Sequence, residues 1–328
     1  MTVVVFLEHQ GERIEAGALS VLSKAASLGV GDVSAVLAGR GPFGALALEA
    51  GKYGAAKVYV VEDDALDRPL PQPRIDLLEQ IVRGGSYDTV LFATSVLATD
   101  VAAGLAGRLE AGLNWDLIDI AQRDGDLVGK RLALQDSVLV EVGWRSPQRI
   151  ALFRGGSFDV VESPREPQIE QVNIERAEHS RRVTITDHIP RPSSGPSITD
   201  ADVIVAGGIG LGGAEHFALA EELAEVLDGA VGATRAAVYK GWYPYAAQIG
   251  QTGKTVTPQL YIALGISGAV QHKVGMQNSK VIVAINKDIN APIFEFSDLG
   301  VVGDVHTIVP KLVELLRRRK KDGDGSSG

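Results

Sequence analysis

Between positions 249 and 288 the chain reads IGQTGKTVTPQLYIALGISGAVQHKVGMQNSKVIVAINKD, with polar side chains where packing alone does not ask for them. Gln251, Thr252, Ser267, Gln271, His272 and Asn286 stand at the ends of apolar runs, where open α/β sheets present ligands. Gly265 and Gly268 let a backbone approach an anion closely, and Ser267 offers a hydroxyl and a helix N-cap. A helix N-terminus carries a positive partial charge of roughly half a unit, so the chemistry these residues suit is the holding of a diphosphate. The same glycine turn serves as plain architecture in many α/β proteins.

These residues need a frame that brings them to one edge. The spacing predicts a strand over 260–264, the glycine turn, a helix over 269–274 and a second strand over 281–285. Upstream, a strand over 202–206 runs into GGIGLGG (207–213) and an amphipathic helix over 214–227, a second phosphate-loop candidate. Gly208, Gly210 and Gly213 also satisfy the dinucleotide fingerprint, which keeps a nicotinamide oxidoreductase in view. The acidic residue that this fingerprint wants about 20 positions on has no clear counterpart. At the C-terminus Val305, Ile308, Val309, Leu312, Leu315 and Leu316 fall at helical spacing, and the basic run 317–321 complements that helix's dipole. Residues 322–328 are expected to be unstructured.

The first half alternates strands (3–7, 33–38, 57–61, 89–93) with helices (16–28, 43–50, 75–83, 96–110), which implies a doubly wound parallel sheet. After Trp115 come short apolar runs at 117–121, 127–134, 137–142 and 149–153, read as an antiparallel extension, and 163–182 reads as an edge strand plus loop. DHIPRPSSGP (187–196) is the sharpest change of composition and divides the chain into domains 1–188 and 189–328.

Composition bounds the chemistry. The 328 residues suffice for two domains, and a net charge of −9 argues against nucleic-acid binding. There is no cysteine, which excludes disulfides, thiolate catalysis and cysteine-ligated clusters. No apolar run reaches the ~20 residues that span a bilayer, and MTVVVFLEHQ reads as a first strand rather than a signal peptide, so a cytoplasmic location is expected. Spacing singles out no nucleophile–base pair, metal-ligand set or acid/base carboxylate pair, so no catalytic residue and no metal ligand is assigned.

The run 248–288, followed by APIFEFSDLGVVGDV, closely resembles the C-terminal signature of the electron-transfer flavoprotein alpha subunit, almost continuously over about 229–311. The N-terminal half is similar only in element order and in phrases such as FLEH. The resemblance implies an α/β protein with an N-terminal doubly wound, nucleotide-hydrolase-like domain that contacts a partner subunit. To that domain it adds an antiparallel extension, and to the C-terminus a Rossmann-like FAD-binding domain. It further implies a heterodimer with a beta subunit that holds AMP. Electrons would arrive from flavin dehydrogenases of the acyl-CoA dehydrogenase type, in fatty acid beta-oxidation, and leave to a quinone-linked acceptor. An electron-bifurcating flavoprotein, with a second FAD in the beta subunit and NADH as donor, is the alternative within the same fold. A docking subunit that has lost its flavin is another.

By the same resemblance, Thr234 and Arg235 in GATRAAVYKG lie at the flavin's reactive edge, where a fixed cation stabilises the reduced ring. Ile249, Gly250, Gln251 and Thr252 match the loop against the ring, with Thr252 as hydrogen-bond partner at N5. Ser267, Gly268, Ala269, Val270, Gln271 and His272 match the segment around the ribityl chain and pyrophosphate, with His272 as donor to the C2 carbonyl. Asn286, Asp304 and Val305 match positions at the ADP half. Two departures bear on cofactor affinity, potential and partner choice. Ile209 stands where the family carries an arginine, and Tyr239-Lys240 where an acidic residue is common.

Overall fold

The computed structural model describes residues 1–134, 137–187, 197–199 and 201–324. The chain divides into two compact units, Met1–Ile189 and Pro190–Gly328. Nearly all of the segment expected to separate them, 188–196, lies outside the described residues.

In the first unit Val3–Leu7 is an unbroken apolar run and is buried on both sides. Alternation along the strand splits it between two cores. Val3, Val5 and Leu7 pack with residues of the helices Ala16–Ser27 and Gly44–Lys52, while Val4 and Phe6 pack with those of Pro71–Gly84 and Val96–Leu109. The strand is central in a nine-stranded sheet, parallel to Val33–Gly39 on one side and Thr89–Ala93 on the other. Ala55–Glu62 and the edge strand Gln168–Gln171 continue the sheet beyond Val33–Gly39, also in parallel.

The antiparallel extension is smaller than the sequence implies. It joins Gly112–Arg123 to Asp126–Ala133 and the latter to Val138–Val142. Arg149–Phe153 is not part of it: that strand is inserted in parallel between Thr89–Ala93 and Gly112–Arg123. Ile150 through Phe153 are all buried, the pattern of a strand covered on both faces.

The second unit holds a six-stranded, all-parallel sheet. Its spatial order is Gln248–Ile249, Ala230–Thr234, Val203–Gly207, Leu260–Leu264, Val281–Asn286, Leu299–Val302. In chain order that is third, second, first, fourth, fifth, sixth, the doubly wound arrangement whose direction reverses between the first and fourth strands. Ala218–Val226 and the final helix, Val305–Asp324, cover one face. That helix runs past position 322, where an unstructured tail was expected, and 325–328 lie outside the described residues. The predicted helix over 269–274 is the single turn Val270–Lys273, and the one over 214–227 begins as a 3-10 turn, Glu215–Phe217. Among the described residues no helix is long and apolar enough to cross a membrane.

Candidate cofactor site

Where the strand order of the second unit reverses, the loops after Val203–Gly207 and Leu260–Leu264 meet backbone to backbone. Gly210 N–H donates to the Gly265 carbonyl at 2.9 Å, and a Cβ on Gly210 would come within 2.6 Å of the Gly265 Cα. These glycines are therefore required first by the contact between the loops. That contact opens a cavity of about 710 Å³, within the range of about 300–1,000 Å³ usual for cofactor sites.

The second loop carries the anion-binding chemistry. Ile266, Ser267, Gly268 and Ala269 donate no backbone hydrogen bond among the described residues. Successive unpaired N–H groups form a concavity suited to a phosphate. One helical turn has too few aligned peptides for a macrodipole, so here the amides themselves, not the helix end, are the source of attraction. Ser267 is not the cap of that turn either; Ala269 holds the position.

The structure gathers the predicted residues from separate elements. Thr234 and Arg235 come from the start of the helix Arg235–Tyr239; Ile249, Gly250, Gln251 and Thr252 from the loop after Gln248–Ile249; and Ser267, Ala269, Gln271 and His272 from the next strand–turn unit. Asn286 ends its strand, and Asp304 with Val305 opens the last helix. All of these line the one cavity. Gly268 and Val270 do not: Gly268 abuts the Ile293 backbone and Val270 is turned to solvent. Lining residues outside the predicted set include Ile209, Tyr239, Lys287 and Asp288.

Each polar group has a definable state. Thr234 caps its helix by accepting from Ala237 N–H at 3.4 Å. Arg235 has no carboxylate partner among the described residues, and its guanidinium sits 4.8 Å from the Tyr239 ring centroid. Its charge is therefore open to a ligand. Asn286 donates to the Ile266 carbonyl at 2.9 Å and accepts from Asp288 N–H at 3.0 Å, bracing the amide-rich loop. Asp304 accepts from His306 N–H at 2.9 Å and so caps the last helix while facing the cavity.

His272 departs from the role the resemblance implies. Its Nδ1 lies 3.1 Å from the Ile249 carbonyl and its Nε2 2.9 Å from the Tyr261 hydroxyl. A carbonyl only accepts, so Nδ1 carries the hydrogen and Nε2 accepts from Tyr261. Burial lowers the pKa from 6.5 to about 4, against a smaller opposing effect of the Ile249 bond, so the ring is neutral. No ring N–H remains for a flavin C2 carbonyl. His272 instead clasps the loop at Ile249 to the strand that carries Tyr261. Tyr261 lies in the apolar run Leu260–Leu264 and is buried, but nothing in the spacing reveals that its hydroxyl meets an imidazole.

Residues 3–179 match the family described as the electron transfer flavoprotein domain, and residues 197–277 match the electron transfer flavoprotein FAD-binding domain. The electron transfer flavoprotein subunit alpha of Mycobacterium leprae is 44% identical over 269 residues, 81% of this chain and 83% of the relative. That of Mycobacterium tuberculosis H37Rv is 40% identical over 321 residues, 97% of this chain and 99% of the relative. The protein FixB of Clostridium saccharobutylicum is 35% identical over 320 residues, 95% of each chain. The open amides, the unpaired guanidinium and the size of the cavity fit the FAD that this family's C-terminal domain binds. The chain belongs to the electron transfer flavoprotein alpha-subunit family, and its second unit is an FAD-binding domain.

Proposed function

We propose that the chain is the FAD-carrying half of a cytoplasmic heterodimer that shuttles electrons from flavin dehydrogenases of the acyl-CoA dehydrogenase type, in fatty acid beta-oxidation, to a quinone-linked acceptor. A beta subunit, with AMP bound, completes the dimer. The observation that carries this reading is the convergence of Arg235, Thr252 and the free amides of Ile266, Ser267 and Ala269 on one cavity at the strand-order reversal.

When bound, FAD supplies one- and two-electron chemistry, and the protein's part is to hold the ring and set its potential. The amides of Ile266, Ser267 and Ala269 and the Lys287 ammonium would hold the diphosphate, and Asn286 keeps that loop in place. With Ile209 in the glycine loop, Arg235 and Lys287 are the cationic side chains lining the cavity. With FAD bound, Arg235 would stand where negative charge builds on reduction, and Thr252 would offer its hydroxyl to N5. His272 supplies neutral structure, and Ile249 and Val305 exclude water from the walls.

The test is stopped-flow mixing of the purified heterodimer with an acyl-CoA dehydrogenase reduced by its substrate. Rapid bleaching of the heterodimer's flavin is expected. Absence of transfer, or two flavins per heterodimer reduced by NADH, contradicts the proposal and favours a bifurcating protein.

A further inference from the structure

Gln248 does not line the cavity and is wholly buried, yet it holds the loop that presents Thr252. Its side-chain nitrogen lies 2.9 Å from the Thr252 carbonyl oxygen and 3.2 Å from the Thr252 hydroxyl oxygen. A carbonyl only accepts, so the group facing Thr252 is the amide NH2, and the hydroxyl oxygen accepts from it as well. The main-chain carbonyl of Gln248 accepts from Lys254 N–H at 2.8 Å, which closes the loop. The other end of the amide, Oε1, is buried with no hydrogen-bond partner among the described residues. An unmet buried acceptor is a net cost, which methionine or leucine at this position would avoid. Both hydrogen bonds of the NH2 fall on Thr252, so the amide fixes the orientation of that residue.

We propose that Gln248 is a positioning residue that locks the Thr252 hydroxyl as a hydrogen-bond donor toward the cavity. The inference rests on the reading that Thr252 faces flavin N5. With its oxygen accepting from Gln248, the hydroxyl keeps its hydrogen for the ligand. Oxidised flavin accepts at N5, whereas fully reduced flavin carries a hydrogen there and needs an acceptor. A locked donor thus favours the oxidised cofactor, and a hydroxyl free to turn serves both states. Tyr245 donates to the same Thr252 carbonyl at 3.0 Å, so the loop backbone keeps a second anchor when Gln248 is changed.

The experiment is a redox titration of the heterodimer carrying Gln248→Met, which keeps the side-chain length and removes the NH2. The variant is expected to retain FAD, with its two-electron equilibrium shifted about tenfold toward reduced flavin, roughly 30 mV upward. Thr252→Val should give a rise of similar size, and Gln248→Met should add nothing in that background. Thr252→Val leaves the buried anchor intact, so an unchanged potential there overturns the proposal even if Gln248→Met does not assemble. An unchanged potential in Gln248→Met, or a full extra shift in the double variant, overturns it equally. A wild-type heterodimer without FAD would instead sink the electron-carrier reading.

Discussion

In both units the strand order reverses beside the unit's first strand, and the two crevices at those reversals have opposite contents. In the first unit the reversal lies between Val3–Leu7 and Thr89–Ala93. Just past those strands the Glu8 carboxylate accepts from the Ser95 hydroxyl, and Ser95 caps the helix Val96–Leu109. The place where an anion would sit at a helix start is taken by the chain's own carboxyl. Nearby, the buried Arg74 spends its guanidinium on the carbonyls of Leu66, Arg68 and Leu70. In the second unit, among the described residues, the equivalent loop leaves the amides of 266–269 unpaired, and Arg235 has no carboxylate partner. Topology supplies a crevice, but the side chains and glycines at its rim decide whether a ligand can enter.

The largest contrast is expected from one substitution in each crevice. Gly250 has φ +134°, and a Cβ there would meet the Gln271 carbonyl oxygen at 2.6 Å. Backbone strain of about 1–3 kcal/mol plus this clash should make Gly250→Val lose FAD, at least tenfold in affinity. Glu8→Gln should leave FAD content unchanged. Flavin counted per chain after gel filtration decides, and the reverse pattern would refute the comparison.

Acid should act on the two crevices in opposite directions. Unfolded His272 takes up a proton near pH 6.5 and the folded ring only near 4. The second unit therefore loses stability as pH falls through that window, on the order of 3 kcal/mol. Burial raises the Glu8 pKa above the ordinary carboxylate value, so its contribution is favourable in acid and is lost as pH rises through the raised value. Native-state hydrogen exchange between pH 4 and 7 reads the units separately, and equal slopes would contradict these assignments.

Smaller effects concern the open cation. Arg235→Ala should lower the flavin midpoint potential by roughly 30 mV, equivalent to about 1.4 kcal/mol, while changing stability by less than about 0.5 kcal/mol. Tyr239→Leu removes only the ring beneath the guanidinium, worth about 0.5–1 kcal/mol at an exposed site, so its shift should have the same sign and a smaller size. Redox titration of both variants checks the order, and a larger effect from Tyr239 would remove Arg235 from its role.

Much of the site was legible because it is nearly continuous in sequence. Strand ends, glycines and polar residues between 249 and 288 fall at one sheet edge once the strands pair. What escaped depends on partners distant in sequence or on geometry below the resolution of periodicity. Arg149–Phe153 has the short apolar run of either an interior or an edge strand, and only its burial between two parallel neighbours distinguishes them. The helix over 269–274 is one turn, followed by Gly275, which lies so close to Gly250 that a Cβ would come within 2.3 Å of the Gly250 nitrogen. His272 reads as a ligand donor until Tyr261 and Ile249 are found to occupy both ring nitrogens. Gln248 is not singled out by the sequence, and its amide on Thr252 is visible only in the structure.

The most direct test is the absorption spectrum of the chain co-purified with its beta subunit, with flavin released and counted against the second unit. One FAD bound in the alpha chain, lost on Gly250→Val and kept on Glu8→Gln, is the predicted result. A colourless heterodimer that takes up no added FAD would contradict the account.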